Sequence, residues 1–512
     1  MEVPALYSTR SFRTFFVPQN AEVSARAAAD GWVLEEAVDF TQEDIDAFQE
    51  RVRRLYVSDY VASWRGLING LELQPFVDLD DAEGKLQTLI GSENPYGRLL
   101  QSIERHTRIS DLNPADAVSP GVDETPSSEA LDLSQAREVT LAFTSLHIMD
   151  ELQEGQELSN LDVALQAVER VHTYVKSITD LEESDAKALE LAKEVARLSG
   201  EDPITDLRRI ADALPEPFQT HFTQIADQTW TALMQSAERE LDRLWNQQIY
   251  TFYSGELAQK YPFAPDALTS VSFDTFSEFL SGTGRVERFF EEHVSPFLIP
   301  GTSTPRDING YQLNFSPEAL RSLVNVREIQ QAFFADDGAF GLAFSLTPIA
   351  MDSGSARSVI NIDGQALPYR HGPERTVGFI WPNTLSGDSG SRVTFIPVRQ
   401  GQPNVTIEGE GIWSFFRLVD QATKNDFNGG RVTLNFSEAG RRLALRVEME
   451  TTVNPFAICL GDELQVPRRL LQTAGPVAEG ELEAGQGDEA AQDPELGRVR
   501  SICLPTAPEA NE

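Results

Sequence analysis

The spacing of apolar residues changes once along the chain, near Gly301, and this change limits the folds that the chain can adopt. Before it, apolar side chains recur at steps of three and four, as in Ile45, Phe48, Val52 and Leu55, which predicts amphipathic helices. After it, apolar residues alternate with polar or small ones, which predicts half-buried strands. The predicted fold class is therefore α+β multidomain, with N-terminal and central all-helical units followed by a C-terminal antiparallel β-sandwich.

Composition divides the 512 residues further. Residues 111–134 contain three prolines, no aromatic residue and an acidic bias, which predicts a linker. Residues 473–512 are rich in Gly, Ala, Glu and Asp, and too little apolar surface is left there to offset the entropy of ordering. The sequence thus predicts a helical domain at 1–110, a linker at 111–134, a helical domain at 135–300, a β-sandwich domain at 301–472 and a disordered acidic tail at 473–512.

The charge balance excludes two classes of partner. The chain has 42 Lys and Arg against 80 Asp and Glu, a net charge of -38. Such a field repels phosphate backbones and anionic lipid heads, so neither nucleic-acid binding nor peripheral membrane binding is expected. There is no run of about 18 apolar residues, so no direct membrane span is expected in this chain, and the N-terminus has no secretory signal pattern.

One string, Gly387-Asp388-Ser389-Gly390, is similar to the nucleophile loop of chymotrypsin-like proteases. Those enzymes also need a histidine base and a buried aspartate, and the nearest histidine, His371, lies only eighteen residues upstream. A turn between two strands explains the string fully. The sequence therefore predicts no enzyme activity, no catalytic residue, no cofactor and no metal site.

Two further groups of residues leave alternatives open. Asp78, Asp80 and Asp81 loosely resemble a calcium-binding loop, but the following glycine is out of register, so we interpret them as a helix start. Cys459 and Cys503 are the two cysteines of the chain, and they can pair if the compartment is oxidising. The sequence does not decide whether they form a disulfide.

The segment 411–420, GIWSFFRLVD, has the densest apolar content in the β-patterned region. Its spacing predicts one or two helical turns that plug the sandwich. We expect Trp413, Phe416 and Leu418 to be core residues, because large apolar side chains at helical spacing normally face inward. Arg417 and Asp420 are expected to orient the polar face of this plug and the neighbouring loop.

This segment resembles the W-x-L/F-F-R-L-L/V-D segment of the TssM (IcmF) family, and Val453 to Phe456 matches its V-N-P-F segment. Trp32-Val33-Leu34, Tyr261-Pro262-Phe263 and Trp381-Pro382 are also similar to family segments and occur in the same order. The resemblance runs from about residue 6 to residue 460. Its signature residues, to which it gives a structural role, are Trp413, Phe416, Arg417, Leu418, Asp420, Asn454, Pro455 and Phe456.

The resemblance implies a structural scaffold of the type VI secretion system membrane core complex. This chain would be its periplasmic part, linking the inner membrane to the outer-membrane lipoprotein TssJ, in a protein whose inner-membrane anchor is absent from this chain. TssL and other TssM copies are the further partners implied.

The residues themselves suggest where partners bind, because loops held by a scaffold usually carry recognition. The predicted partner-binding loops contain Gly387, Asp388 and Ser389, and Asn425, Asp426, Phe427 and Asn428. The main alternative is a secreted ligand- or carbohydrate-binding β-sandwich without enzymatic activity. A hydrolase that uses Ser389 is a third possibility.

Overall fold

A computed structural model gives the structure of the chain. By internal contacts the chain forms two compact units, Met1–Ala237 with Asn309–Tyr311, and Glu238–Ile308 with Gln312–Glu512. The predicted linker (apart from Ser134), the predicted disordered tail and Cys503 lie outside the described residues, so the pairing of Cys459 with Cys503 stays open. The structure describes residues 2–17, 19, 22, 26, 41–110, 134–152, 155–197, 202–335, 337–385, 390–451 and 453–472.

The first unit is built of helices, as the apolar spacing predicts. Three helical turns, Ala5–Tyr7, Thr9–Ser11 and Phe12–Phe16, precede them. The main helices are α1 (Gln42–Asn69), α2 (Leu79–Ile90), α3 (Pro95–Thr107), α4 (Ser134–Ala142), α5 (Thr144–His147), α6 (Asn160–Thr179), α7 (Ser184–Ala196), α8 (Pro203–Ala211) and α9 (Phe218–Trp245), the last of which continues into the second unit.

The acidic cluster near residue 80 starts helix α2, so the helix-start interpretation is confirmed. Asp78 is the N-cap, and its Oδ1 accepts a 2.9 Å hydrogen bond from the N–H of Asp81. The Asp81 carboxylate in turn accepts a 2.7 Å bond from Nζ of Lys85 one turn later. This cap fixes the helix start at Leu79, because a side-chain cap satisfies the first free N–H groups.

Aromatic side chains of α1 hold the N-terminal turns. The Tyr56 hydroxyl donates a 2.8 Å hydrogen bond to the carbonyl of Leu6, and Nε1 of Trp64 donates a 2.9 Å bond to the carbonyl of Tyr7. The ring of Phe16 stacks on that of Tyr56 at 3.7 Å between centroids. The apolar stripe of α1 therefore packs against the first residues of the chain.

The second unit begins with helices and ends with strands. Regular strand pairing begins at Leu342, and a seventeen-residue helix lies between Gly301 and that point. The described helices after α9 are the turns Asn246–Tyr250 and Tyr253–Leu257, α10 (Phe273–Leu280), α11 (Arg285–Phe289), the turns Phe290–Val294 and Ser295–Phe297, and α12 (Pro317–Phe333).

The strands form two antiparallel sheets, so the predicted fold class is confirmed. One sheet has the order β4-β1-β9-β8-β7 and the other the order β3-β2-β5-β6. The strands are β1 (Leu342–Met351), β2 (Ser355–Ile362), β3 (Gln365–Tyr369), β4 (Val377–Trp381), β5 (Ser391–Pro397), β6 (Val405–Gly409), β7 (Thr423–Asn428), β8 (Arg431–Glu438) and β9 (Arg441–Met449).

Alternation of side chains explains why each sheet has one buried face. Val432, Leu434 and Phe436 of β8 are buried, whereas Thr433 and Asn435 between them are partly exposed. Successive side chains of a strand point to opposite faces. Leu443, Leu445 and Val447 of β9 follow the same rule and continue the core on the neighbouring strand.

Asp352, in the turn between β1 and β2, binds the first residues of β9. Its carboxylate accepts hydrogen bonds from the Gly354 N–H and the Ser355 hydroxyl, both at 2.8 Å, and from the Arg442 N–H at 3.0 Å. The Arg441 guanidinium lies 3.4 Å away. Burial of this carboxyl opposes its ionisation, but these donors outweigh burial and hold the Asp352 pKa below its ordinary 3.8.

We expect Asp352→Asn to lower the free energy of unfolding by about 2 kcal/mol at neutral pH. Because the folded pKa is depressed, this contribution is complete above the unfolded pKa and is lost as pH falls through the folded pKa. The gap between wild type and variant should therefore close below about pH 4. Urea denaturation at a series of pH values measures it, and a gap that does not change with pH would contradict the assignment.

Candidate functional site

Helix α13 (Ser414–Asp420) lies between strands β6 and β7. It packs against the end of β6 because Gly409 has no side chain: a Cβ there would lie 2.0 Å from the Ser414 carbonyl oxygen and 2.7 Å from the Leu418 nitrogen. Gly411 then turns the chain into the helix at φ +80°, a conformation that favours glycine. The segment is thus a short helix at the sandwich, as its spacing predicts.

Trp413 is the centre of the aromatic core at this helix. Its side chain is fully buried, and its Nε1 donates a 2.7 Å hydrogen bond to the carbonyl of Val271. Phe416 and Leu418 are also buried, at 7% and 1% exposure. The rings that surround Trp413 at centroid distances of 5.3 to 5.4 Å are those of Phe273, Phe276, Trp381 and Phe416.

Arg417 binds the loop that precedes α10. Its guanidinium carbon lies 4.0 Å from the ring centroid of Tyr261, a cation–π contact. Its Nη2 donates to the carbonyl of Ala267 at 2.8 Å and to the hydroxyl of Ser270 at 3.2 Å. Arg417 therefore orients this loop, the role that the sequence suggested for it together with Asp420.

Asp420 joins the same loop to strand β7. Its Oδ2 accepts a 2.6 Å hydrogen bond from the Tyr261 hydroxyl, and its Oδ1 lies 3.2 Å from Nζ of Lys424. The Lys424 side chain is only 4% exposed, whereas that of Asp420 is 46% exposed. Burial, and next the Asp420 charge, raise the pKa of Tyr261, so the phenol stays protonated and donates.

The V-N-P-F segment packs on the other side of α13. The Asn454 side chain accepts a 3.0 Å hydrogen bond from the N–H of Phe456 and caps the turn Pro455–Ala457. The ring of Phe456 lies 5.4 Å from that of Phe415 and 5.2 Å from that of Phe416. The two signature segments are thus in direct contact.

The residues Asn425 to Asn428 are not in a loop, as the sequence suggested, but at the end of edge strand β7. The pairing with β8 is interrupted between Asn425 and Asn428, and Asp426 has a φ of +54°. Because of this irregularity, the sequence of β7 lacks the regular alternation of apolar and polar residues that predicts a strand. Asn425, Asp426 and Asn428 are exposed and Phe427 is partly buried. Gly387, Asp388 and Ser389 lie outside the described residues.

Sequence reasoning missed Tyr261 and Lys424 as partners of Asp420. Tyr261 is 159 residues away along the chain, and no spacing rule relates residues that far apart. The one available signal was Lys424 itself, four residues after Asp420 and flanked by polar residues. From the sequence, a lysine between polar residues is predicted to be exposed. Only the structure shows that this side chain is buried.

Of the residues considered for catalysis, His371 lies in the described part of the chain and Ser389 does not. Nε2 of His371 lies 2.8 Å from the carbonyl oxygen of Ser355 and is hydrogen-bonded there. Across the ranges that the structure describes, no three His, Cys, Asp or Glu side chains are placed to hold a metal ion. Among those ranges there is also no helix with the length and apolar character needed to cross a bilayer.

Three family models match the chain in order, and together they cover more than half of it. Residues 1–108 match a model described as IcmF-related, intracellular multiplication and human macrophage-killing. Residues 236–339 match the type VI secretion protein IcmF helical domain. Residues 344–451, which contain most of the strands and α13, match the type VI secretion protein IcmF C2-like domain.

Whole-chain comparisons agree with these matches. The type VI secretion system component TssM1 of Pseudomonas aeruginosa is 25% identical over 493 residues, 91% of this chain, and the chain spans 44% of that relative's length. Two solved structures have the same fold. A chain of a type VI secretion system membrane core complex is 19% identical and has a TM-score of 0.70, with 92% of this chain and 91% of that chain covered.

The second, from a type VI membrane complex, is 18% identical with a TM-score of 0.66, covering 90% of this chain and 86% of that chain. The three family models match in order, and the fold and the contact between the two signature segments agree with them. The chain therefore belongs to the TssM/IcmF family of type VI secretion proteins.

Proposed function

We propose that this chain is a non-enzymatic scaffold component of the type VI secretion system membrane core complex. The observation that carries the proposal is the similarity to TssM1, a type VI secretion system component, over 91% of this chain. The buried aromatic core around Trp413 and the hydrogen bonds of Arg417 and Asp420 fit such a role, because they fix the geometry of a domain that must transmit force or hold partners.

The chain lies in the periplasm on this proposal and links the inner membrane to the outer-membrane lipoprotein TssJ. Other TssM copies and TssL are its further partners in the complex. The support is the fold shared with a chain of a solved membrane core complex, together with the resemblance of the signature segments to the family.

The partner surface for TssJ on this proposal includes the exposed end of β7, at Asn425, Asp426 and Asn428. An edge strand presents unpaired backbone groups that another chain can use. This edge is also firmly held, since Lys424 at its start is buried and bound to Asp420. A rigid edge favours binding because little conformational entropy is lost on association.

A binding titration between the full chain and the soluble part of TssJ tests this assignment. We expect wild type to bind and Asn425→Arg to weaken binding by about tenfold or more, because a new cation disrupts a close interface. Ser437→Arg, at an exposed position of neighbouring strand β8, is the matched control and should bind as wild type does.

Two outcomes of this titration are informative in different ways. Absence of binding by the wild-type chain would reject TssJ as its partner. Equal affinities of wild type and Asn425→Arg would keep the partner and reject β7 as the surface. Cell fractionation of the native protein, with recovery outside the periplasmic and envelope fractions, would contradict the proposed location.

A further inference from the structure

A cavity of about 620 Å³ lies in the first unit, between the extended segment 71–76 and helices α2 and α3. Its volume is in the range of protein ligand pockets, about 300 to 1,000 Å³. It is separate from the residues of the sandwich described above. Its wall is mainly apolar, formed by Leu71, Leu73, Phe76, Leu89, Pro95 and Leu99.

Tyr96 and His221 are the most buried polar residues of this wall, each at 6% exposure. The Tyr96 ring packs against those of Phe218, His221 and Phe222, and burial raises the pKa of its phenol, so the hydroxyl stays protonated. Within the described ranges the hydroxyl has no hydrogen-bond partner. Its oxygen is not among the fully buried unpaired atoms of the described residues, so this donor is accessible to a ligand in the cavity.

The extended segment beside the cavity is fixed at both ends. Nε2 of His221 shares a 3.0 Å hydrogen bond with the Leu71 carbonyl. At the other end, Lys85 donates a 2.7 Å bond to the Pro75 carbonyl, and the Phe76 N–H donates a 2.9 Å bond to the Gln228 side chain. The segment therefore does not need a ligand to hold its extended conformation.

The middle of this segment has free main-chain groups. In the part of the chain that the structure describes, the N–H and C=O groups of Glu72, Leu73 and Gln74 make no hydrogen bond. An extended backbone with free groups, next to an apolar pocket, is the arrangement that binds extended peptides: the backbone contributes affinity and the pocket selects a side chain. A small amphiphile would use the pocket but not these backbone groups.

The charged residues that line the cavity indicate which residue of a bound peptide would lie next to the apolar side chain in the cavity. Lys85 and Arg98 line the cavity together with one carboxylate, that of Glu72, and Lys85 is itself paired with the carboxylate of Asp81 at 2.7 Å. Arg98 is paired with Glu93 at 2.7 Å, but both side chains are largely exposed. Such a surface pair contributes little and is readily exchanged for another carboxylate.

We propose that this cavity is the docking site for an extended segment of a partner protein that carries a large apolar residue next to an acidic one. The apolar side chain fills the cavity, the main chain pairs with Glu72, Leu73 and Gln74, and a carbonyl accepts from the Tyr96 hydroxyl. The acidic residue pairs with Arg98. This site is independent of the TssJ surface proposed above.

Selection of a phage-displayed library of random dodecapeptides against the full chain provides the probe. We expect enriched peptides to share a large apolar residue beside Asp or Glu. Their binding, measured by fluorescence polarisation, should weaken about tenfold or more on Leu99→Glu, which places a charge in the cavity. Tyr96→Phe, which keeps the ring, should weaken it about fivefold. Leu141→Glu, at an exposed apolar position of α4, is the control and should have no effect.

Hydrogen exchange distinguishes a peptide from a small ligand. A selected peptide should slow exchange of the amides of Glu72, Leu73 and Gln74, whereas the aromatic sulfonate dye anilinonaphthalene sulfonate should leave them unchanged. The proposal is overturned if no peptide is enriched over bare support, or if selected peptides bind the Tyr96→Phe and Leu99→Glu variants as tightly as wild type. Binding of the dye with no protection by any peptide would also overturn it.

Discussion

Trp413→Ala is expected to lower the free energy of unfolding of the second unit by about 4 kcal/mol. The side chain is fully buried, its indole N–H is bonded to the Val271 carbonyl, and its ring is surrounded by four others. Truncation removes the transfer free energy of the ring and leaves a cavity that rigid aromatic neighbours cannot fill. Hydrogen exchange of amides in β8 and β9 measures the loss locally, without assuming that the two units unfold together.

The neighbouring residue supplies a matched control for Trp413. Ile412 is 42% exposed, so Ile412→Ala should cost less than about 1 kcal/mol. Trp413→Phe keeps most of the ring but loses the bond to Val271 and should fall between the two, at about 2 kcal/mol. If Trp413→Ala costs no more than Ile412→Ala, Trp413 does not have the central packing role assigned to it.

Asp420→Ala is expected to cost about 3 kcal/mol, because it leaves the buried Lys424 ammonium without its carboxylate. It also removes the acceptor of the Tyr261 hydroxyl. Lys424→Met should cost under about 1 kcal/mol, since methionine has a similar shape and the half-exposed Asp420 carboxylate keeps its hydration. The asymmetry follows from the exposures of 4% for Lys424 and 46% for Asp420.

The double variant separates this pair from ordinary packing effects. In the Lys424→Met background, Asp420→Ala should cost about 2 kcal/mol less than in wild type, and this difference is the coupling between the two residues. The exposed pair of Arg431 and Glu448, across β8 and β9, is the control and should show a coupling below about 1 kcal/mol. A coupling for Asp420 and Lys424 no larger than that of the control would contradict the assigned buried pair.

Local pattern was enough to predict the class of each region, as α1 and β8 illustrate. The spacing of Ile45, Phe48 and Val52 predicted a helix, and the structure has one at Gln42–Asn69. The alternation of Val432, Leu434 and Phe436 predicted a strand, found as Arg431–Glu438. Both predictions succeed because the backbone geometry of a helix or a strand sets the direction of each side chain, and this gives the apolar residues a regular spacing in the sequence.

The apolar spacing predicted the structure less well where a local hydrogen bond or a backbone turn determines the element. Helix α2 begins at the cap of Asp78, which the acidic residue types indicated and the apolar spacing did not. Strand β7 carries a positive φ at Asp426 and a break in pairing, so Asn425 to Asn428 resembled a loop. In both places a local hydrogen bond or backbone turn determines the element, and the apolar pattern does not report it.

By itself, the sequence determined the order of helices and strands, the short helix around Trp413 and the resemblance to the TssM/IcmF family, because these depend on residues close together in the chain. Only the tertiary structure decided that Tyr261 and Lys424 meet at Asp420, that β7 is an edge, and that Tyr96 and the free backbone of Glu72 to Gln74 border one cavity. The physical reason is that burial and hydrogen-bond partners are set by residues far apart in sequence, and the energy of a charge or a hydroxyl depends on those neighbours.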